Sequence, residues 1–316
     1  MDLLKRIGWT LLEILLFSMA FVVLILLQGY LLKWITGNAG IWDVSDLSEN
    51  TNPFTVLYSF LPVLLSGIMA SYLVYTLIMK HPFADLGYHA SGKLSSFGKG
   101  VLFSFALIAP ATVILLLFGQ LKWLPVTFNF LYIIGFFIFF FIQSTAEEVM
   151  TRSFLISSVE NRMGTGTAVF LSGSLFALMH IANDHFSFMG FLNILLGGTL
   201  MALMFVRYRS IWLTAGFHTG WNFIQGTLFD YNVSGVDVYS VMQWEPVGYD
   251  RLTGYKFGYE GSIFSVLFLS IALIWWIKRY GWPSFEIPPK PATPFPQEGI
   301  ASFYSVDPDS SEEKSQ

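Results

Sequence analysis

Long apolar runs alternate with short polar breaks along the whole chain, and the runs have the length that crosses a bilayer. A spanning helix needs about 20 mostly apolar residues. By that rule the pattern predicts eight membrane helices, at residues 8–32, 54–79, 99–119, 128–152, 165–183, 188–206, 211–229 and 262–278, the fourth running on toward residue 161. The fold class is therefore all-α, a polytopic membrane helical bundle of about eight transmembrane helices. The first run is too long for a signal-peptide core and has no clear small-residue cleavage site, so it reads as the first membrane helix.

The loops test this pattern, because Lys and Arg favour the cytoplasmic side. Eight spans put 13 of the 17 basic residues on one side, including Lys5, Arg6, Arg152, Arg162, Arg207, Arg209, Lys278 and Arg279. The other side holds Lys33, Lys122, Arg251 and Lys256, with the acidic residues Asp43, Asp46, Glu49, Asp184, Asp230, Asp237, Glu245, Asp250 and Glu260. Both termini are then expected in the cytoplasm. Residues 1–282 form one membrane domain, with an outer loop at 230–261 rich in Gly and aromatics and an ordered or amphipathic inner loop at 81–98. Residues 283–316, Pro-rich and then acidic and Ser-rich, have little to bury and are expected to be a disordered cytoplasmic tail.

Composition agrees. The chain of 316 residues is 54% hydrophobic and 12% charged, against about 25% charged in soluble domains. With no cysteine, disulfides, thiolate catalysis and thiolate metal sites are excluded. A net charge of −4 gives no reason to expect a nucleic-acid partner. The lipid bilayer is the partner that composition implies.

Against this background Glu147 and Glu148 stand out, at the end of the apolar run that starts at Phe128. Carboxylates in or beside a bilayer cost a few kcal/mol each and are kept for chemistry, ion passage or a buried polar network. His180, His218 and Asn222 are the other polar candidates in apolar segments, with Arg152 beside them. A helical hairpin turning at 161–164 puts Glu147 and His180 both about 21–24 Å from the turn, and so at matching height. His218 lies about 12 Å and Asn222 about 18 Å from the turn near 207–210. These levels agree only if the first hairpin projects about 10 Å beyond the bilayer. His218 and Asn222, four apart, share a helix face, as do Glu148 and Arg152 in the favourable order for an ion pair. Glu147 points about 100° away from Glu148, so one carboxylate can be neutralised by Arg152 while its neighbour faces the bundle centre.

A carboxylate, two imidazoles and an amide in a dry pocket suit peptide hydrolysis. Glu147 can deprotonate a water, His180 can hold that water or a metal, and His218 with Asn222 can donate to the oxyanion. Blander readings stand beside this one. Glu148–Arg152 can be a structural pair, His180 and Phe176 packing residues, and His218-x-x-x-Asn222 an interhelical clamp. His81, His89 and His185 read as loop or interfacial histidines, and Glu13 has no assigned role.

The ordered set Glu147-Glu148-x-x-x-Arg152, Phe176-x-x-x-His180 and His218-x-x-x-Asn222, each on a predicted membrane helix, resembles the CPBP family of CAAX prenyl proteases and bacteriocin-processing (Abi) proteins. The resemblance implies an intramembrane endopeptidase. Glu147 would be the water-activating glutamate, Glu148 and Arg152 its supporting pair, His180 the residue that orients the water, and His218 with Asn222 the oxyanion hole. It leaves open a divalent metal such as zinc, held by Glu147, His180 and His218, as in a metalloprotease. The run Leu252-Thr253-Gly254-Tyr255-Lys256-Phe257-Gly258-Tyr259-Glu260-Gly261 is similar to bacterial members, which implies a bacterial inner membrane, with the endoplasmic reticulum as the alternative. The implied substrate is a peptide or membrane-protein segment; prenylated substrates belong to eukaryotic members. The competing classes are a non-catalytic scaffold or immunity protein, and a secondary transporter. Gly197-Gly198 and Pro110 are the only hints of the broken helices a transporter would use.

Overall fold

The fold is known from a computed structural model, which describes residues 3–36, 53–89, 92–126 and 128–286. The expected tail lies outside the described residues beyond Glu286, and so do Asp43, Asp46 and Glu49.

Each of the eight apolar runs is helical. In chain order the helices are α1 (Leu3–Thr36), α2 (Pro53–Ser71, continued by a π-helical stretch Tyr72–Ile78), α3 (Lys93–Leu117), α4 (Phe130–Glu148), α5 (Leu155–Met163), α6 (Thr165–Met179), α7 (Phe188–Tyr208), α8 (Ile211–Phe223), the short α9 (Asp250–Thr253) and α10 (Ile263–Tyr280). A π-helical stretch, Val149–Phe154, joins α4 to α5 in one continuous rod, as the fourth run predicts, and another, Ile224–Leu228, extends α8. Helices start where Asn129, Ser187, Ser210 and Ser262 turn a side-chain oxygen onto free backbone N–H groups, the usual N-cap arrangement.

Among the described residues, six helices are long and apolar enough to cross a membrane. The rod Phe130–Met163 is one of them, whereas α6 and α8 are shorter. α8 is buried along almost its whole length, so its neighbours, rather than its own span, keep it from lipid. α1 is the opposite case and turns Leu11, Leu15, Val23, Leu26 and Leu27 outward, the face a lipid-contacting helix presents. The chain is a multi-pass integral membrane protein. One small departure from an all-helical plan lies in the loops: residues Leu121–Leu124 (β1) and Gln243–Pro246 (β2) pair antiparallel, Trp123 opposite Trp244. This ribbon caps the face opposite the one that carries Arg162 and Arg209.

Two close helix crossings position the candidate residues. α3 and α8 pack through small residues, Gly100 and Ser104 against Gly216 and Gly220. Small residues let helix backbones approach in a membrane bundle. That seam holds one side of α8, and His218 and Asn222 project from the other. A Cβ at Gly216 would collide with the Phe97 backbone. Gly216→Ala is therefore expected to destabilise the protein by about 1–3 kcal/mol, the usual cost of overpacking, read as a lower unfolding temperature in detergent. The second crossing, α6 on α7, uses Gly173 and Gly198. A Cβ at Gly198 would stand 3.1 Å from the Phe176 ring and 3.4 Å from Arg152. Close packing thus accounts for this glycine, and α7 runs unbroken through it. α3 likewise continues through Pro110.

The described residues of the 81–98 segment, 81–89 and 92–98, pack on the bundle. Its 3-10 turn, Phe83–Leu86, supplies backbone carbonyls to Ser153 and Ser157 of the rod, and Gly87 accepts from the Ile211 N–H. Glu13 also finds a partner: it pairs with Arg162 and ties α1 to the α5–α6 hairpin. Glu160 pairs with Arg209, which levels Glu160 with the α7–α8 turn. The hairpin turn at Gly164 then projects only about 6 Å beyond it, less than the 10 Å that straight α-helices require. The π-helical stretch between Glu148 and Leu155 puts more residues into each turn, so Glu147 lies closer to Glu160 in height than α-helical counting implies.

Candidate active site

The rod formed by α4 and α5 changes its winding at the adjacent glutamates, and π-helical insertions of this kind recur at functional sites. Glu148 and Arg152 are both completely buried and meet at 3.0 Å. The Arg152 guanidinium also donates to Thr151 Oγ1 (2.5 Å) and the Gly198 carbonyl (3.2 Å), and lies 4.1 Å from the centre of the Phe176 ring. Phe176 touches the guanidinium and both imidazoles, its ring 4.7 Å from His180 and 5.6 Å from His218 between ring centres.

Both imidazoles are oriented through Nδ1. His180, where α6 ends, holds the Phe176 carbonyl at 2.7 Å, and His218 on α8 holds Glu148 Oε1 at 3.0 Å. With Nδ1 as donor in each case, Nε2 of each neutral ring is a lone pair. Those two nitrogens face Glu147 Oε2, His218 at 3.7 Å and His180 at 4.0 Å. Glu147 Oε2 is buried without a hydrogen-bond partner. Three acceptors turned toward one another need hydrogens between them. A water supplies two, and a proton on either ring supplies the third.

Glu147 Oε1 is held by Gln143, one helical turn earlier. Gln143 Oε1 in turn accepts from Asn222 Nδ2 at 3.0 Å, and Asn222 also reaches Ser144 Oγ at 3.3 Å. All the candidate residues thus come together, Glu147, His180, His218 and Asn222 at a cavity and Glu148, Arg152 and Phe176 behind and beside them. Gln143 was absent from the expectation. Its signal was present as a lone amide four residues before Glu147 in a run of Phe and Ile, the spacing of one helix face.

The cavity has a volume of about 310 Å³. Gln143, Glu147, His180, His218 and Asn222 line one part, and Phe139, Phe140, Phe217, Trp221 and Leu269 give it apolar walls. Among the described residues no three His, Asp or Glu are grouped to hold a metal ion.

A multi-pass bundle with a carboxylate and two imidazoles at a cavity has the groups that hydrolysis within a membrane uses. Residues 128–224 match the family model described as Type II CAAX prenyl endopeptidase Rce1-like. The resemblance to the CPBP family of CAAX proteases is thereby shown over the segment that carries all three motifs, and it supports a peptidase. The metalloprotease expectation gains no support, since proteases of this family depend on glutamate. No curated protein gives a significant match to the chain.

Proposed function

We propose that this protein is an intramembrane endopeptidase of the CAAX/Abi type, cutting membrane-associated peptides or proteins with Glu147 as the base that activates water. One observation carries the reading: a buried carboxylate oxygen of Glu147 without a hydrogen-bond partner lies 3.7 and 4.0 Å from two imidazole nitrogens, at the wall of a cavity from which one water can reach all three. Glu147 takes one proton from the water, and His180 accepts a hydrogen bond from the other. The resulting hydroxide attacks the carbonyl carbon of the scissile bond. The oxyanion that forms meets Asn222 Nδ2 and, when its Nε2 carries a proton, His218. The C–N bond then breaks, and the proton held by Glu147 passes to the departing amine. Glu148 and Arg152 act on His218 from behind and touch no substrate. Asn222 exchanges its 3.3 Å contact with Ser144 for the oxyanion.

Asn222→Ala is accordingly expected to lower the rate by about 10²–10³-fold and to leave residual cleavage. His180→Ala and His218→Ala are expected to abolish it. Chelation at constant pH is expected to leave cleavage unchanged. A loss restored by zinc overturns the metal-free mechanism.

The reading includes eight spans with both termini in the cytoplasm, a membrane domain over residues 1–282 and a tail over 283–316. It also includes a bacterial inner membrane and a peptide or membrane-protein substrate. The test is a comparison of newly created protein termini in membranes from cells expressing wild type or Glu147→Ala at equal levels. Termini that vanish in the variant support the protease and name its substrates. Identical profiles sink it.

A further inference from the structure

The same cavity holds a second carboxylate that the hydrolytic mechanism leaves idle. Glu260, in the 3-10 turn Tyr259–Gly261, is 5% exposed and lines the cavity together with Asn193 and Ser234. Its Oε1 accepts from Trp221 Nε1 at 3.1 Å and from Gln225 Nε2 at 3.0 Å, and its Oε2 accepts from Ser234 Oγ at 2.7 Å. All three donors are neutral. An ionised carboxylate offers about four acceptor sites, so one stays open on Oε2. Among the described residues no Lys, Arg or His forms an ion pair with Glu260. Gln225, which gives its N–H to Glu260, is fully buried, and its own Oε1 has no partner. A carboxylate without a cation and with one open acceptor site therefore faces the cavity, and the buried Gln225 behind it leaves its own Oε1 without a donor. Buried charges are normally paired.

The location relative to the candidate catalytic residues follows from α8. His218, Trp221 and Asn222 stand at i, i+3 and i+4, on one helix face, and Gln225 follows in the π-helical stretch Ile224–Leu228. Trp221, which donates to Glu260, lies about 4.5 Å farther along the axis than His218, and Gln225 lies somewhat less than about 10.5 Å farther, because the π-helical winding shortens the rise. An extended peptide advances about 3.3 Å per residue. The Glu260 carboxylate thus stands about two residues from a peptide bond held at His218.

We propose that Glu260 forms a specificity subsite for a positively charged side chain, lysine or arginine, of the peptide substrate, about two residues from the scissile bond. The proposal rests on the protease reading. An ammonium or guanidinium supplies both the missing charge and an N–H donor for the open site on Oε2. Glu260 also pins the 230–261 loop to α8, and that role requires acceptors but no charge. Glu260→Gln keeps an oxygen for Trp221 and Gln225 and removes the charge, so it separates the two roles.

The experiment uses the full-length protein in lipid nanodiscs and hydrophobic peptides carrying lysine, acetyl-lysine or norleucine at successive positions around the cut. Cleavage is measured with wild type and Glu260→Gln, and binding with Glu147→Ala and Glu147→Ala/Glu260→Gln. The expected result is a preference of about tenfold for lysine over norleucine at one position, equivalent to about 1.4 kcal/mol, which Glu260→Gln abolishes. A lysine-to-norleucine ratio near one in wild type, or one that Glu260→Gln leaves unchanged, overturns the proposal. Should that variant not fold, the wild-type ratio of lysine to acetyl-lysine decides, and equality overturns it. Cleavage without a lysine preference removes the subsite and leaves the protease reading standing. Lysine-dependent binding without cleavage supports the subsite and removes the protease reading.

Discussion

Glu147→Gln is expected to reduce cleavage by about 10²–10⁴-fold, the range that general-base catalysis contributes, while the protein inserts and unfolds like wild type. The substitution is nearly isosteric. Glutamine keeps an oxygen to accept from Gln143, the contact that orients Glu147 in the fold. It loses the ability to take a proton at the position where Oε2 is buried without a partner, facing Nε2 of His218 and His180. Removing a partly buried charge also relieves a desolvation cost, so the unfolding temperature is expected to stay level or rise. Activity and stability then move independently, which a merely structural carboxylate would not allow. Full activity in Glu147→Gln sinks the base assignment.

Arg152→Ala is expected to cost about 3–5 kcal/mol of stability, because breaking a buried ion pair leaves its partner as an uncompensated buried charge. Both side chains are completely buried, Glu148 Oε1 lies 3.0 Å from the guanidinium, and Glu148 Oε2 has no partner at all. The protein loses further contacts at the Gly198 carbonyl and the Phe176 ring. Replacing both partners with apolar residues, Glu148→Leu with Arg152→Met, is expected to recover most of that loss, since no charge is left stranded. Cleavage is not expected to recover, because His218 Nδ1 loses the acceptor that orients its ring. Thermal unfolding in detergent measures the first effect and termini profiling the second. A double variant that is as unstable as Arg152→Ala contradicts the charge argument.

Much of this arrangement is written in the order of residues along the chain. The apolar runs are long enough that a bilayer leaves them no alternative to helices, since backbone polar groups there must pair within their own segment. Helical spacing likewise puts Glu148 with Arg152 and His218 with Asn222 without reference to any other part of the molecule. These are local facts, and the structure agrees with them.

What local spacing does not reach is whatever depends on a partner from another helix. Glu13 reads as an orphan until the α5–α6 hairpin brings Arg162 against it. Gln143 reads as one amide in a Phe-rich run until α8 delivers Asn222 to its other end. Gly197-Gly198 suggests a broken helix until α6 packs at Gly198. The winding change after Glu148 alters heights by several ångströms, and no residue type marks it in advance. The sequence alone therefore determines the helical class, the family motifs and the pairs four residues apart, because those rest on periodicity within a single segment. Only the tertiary structure decides which nitrogen each histidine turns toward Glu147, and that Glu260 shares its cavity, because both follow from how separate helices and the outer loop pack.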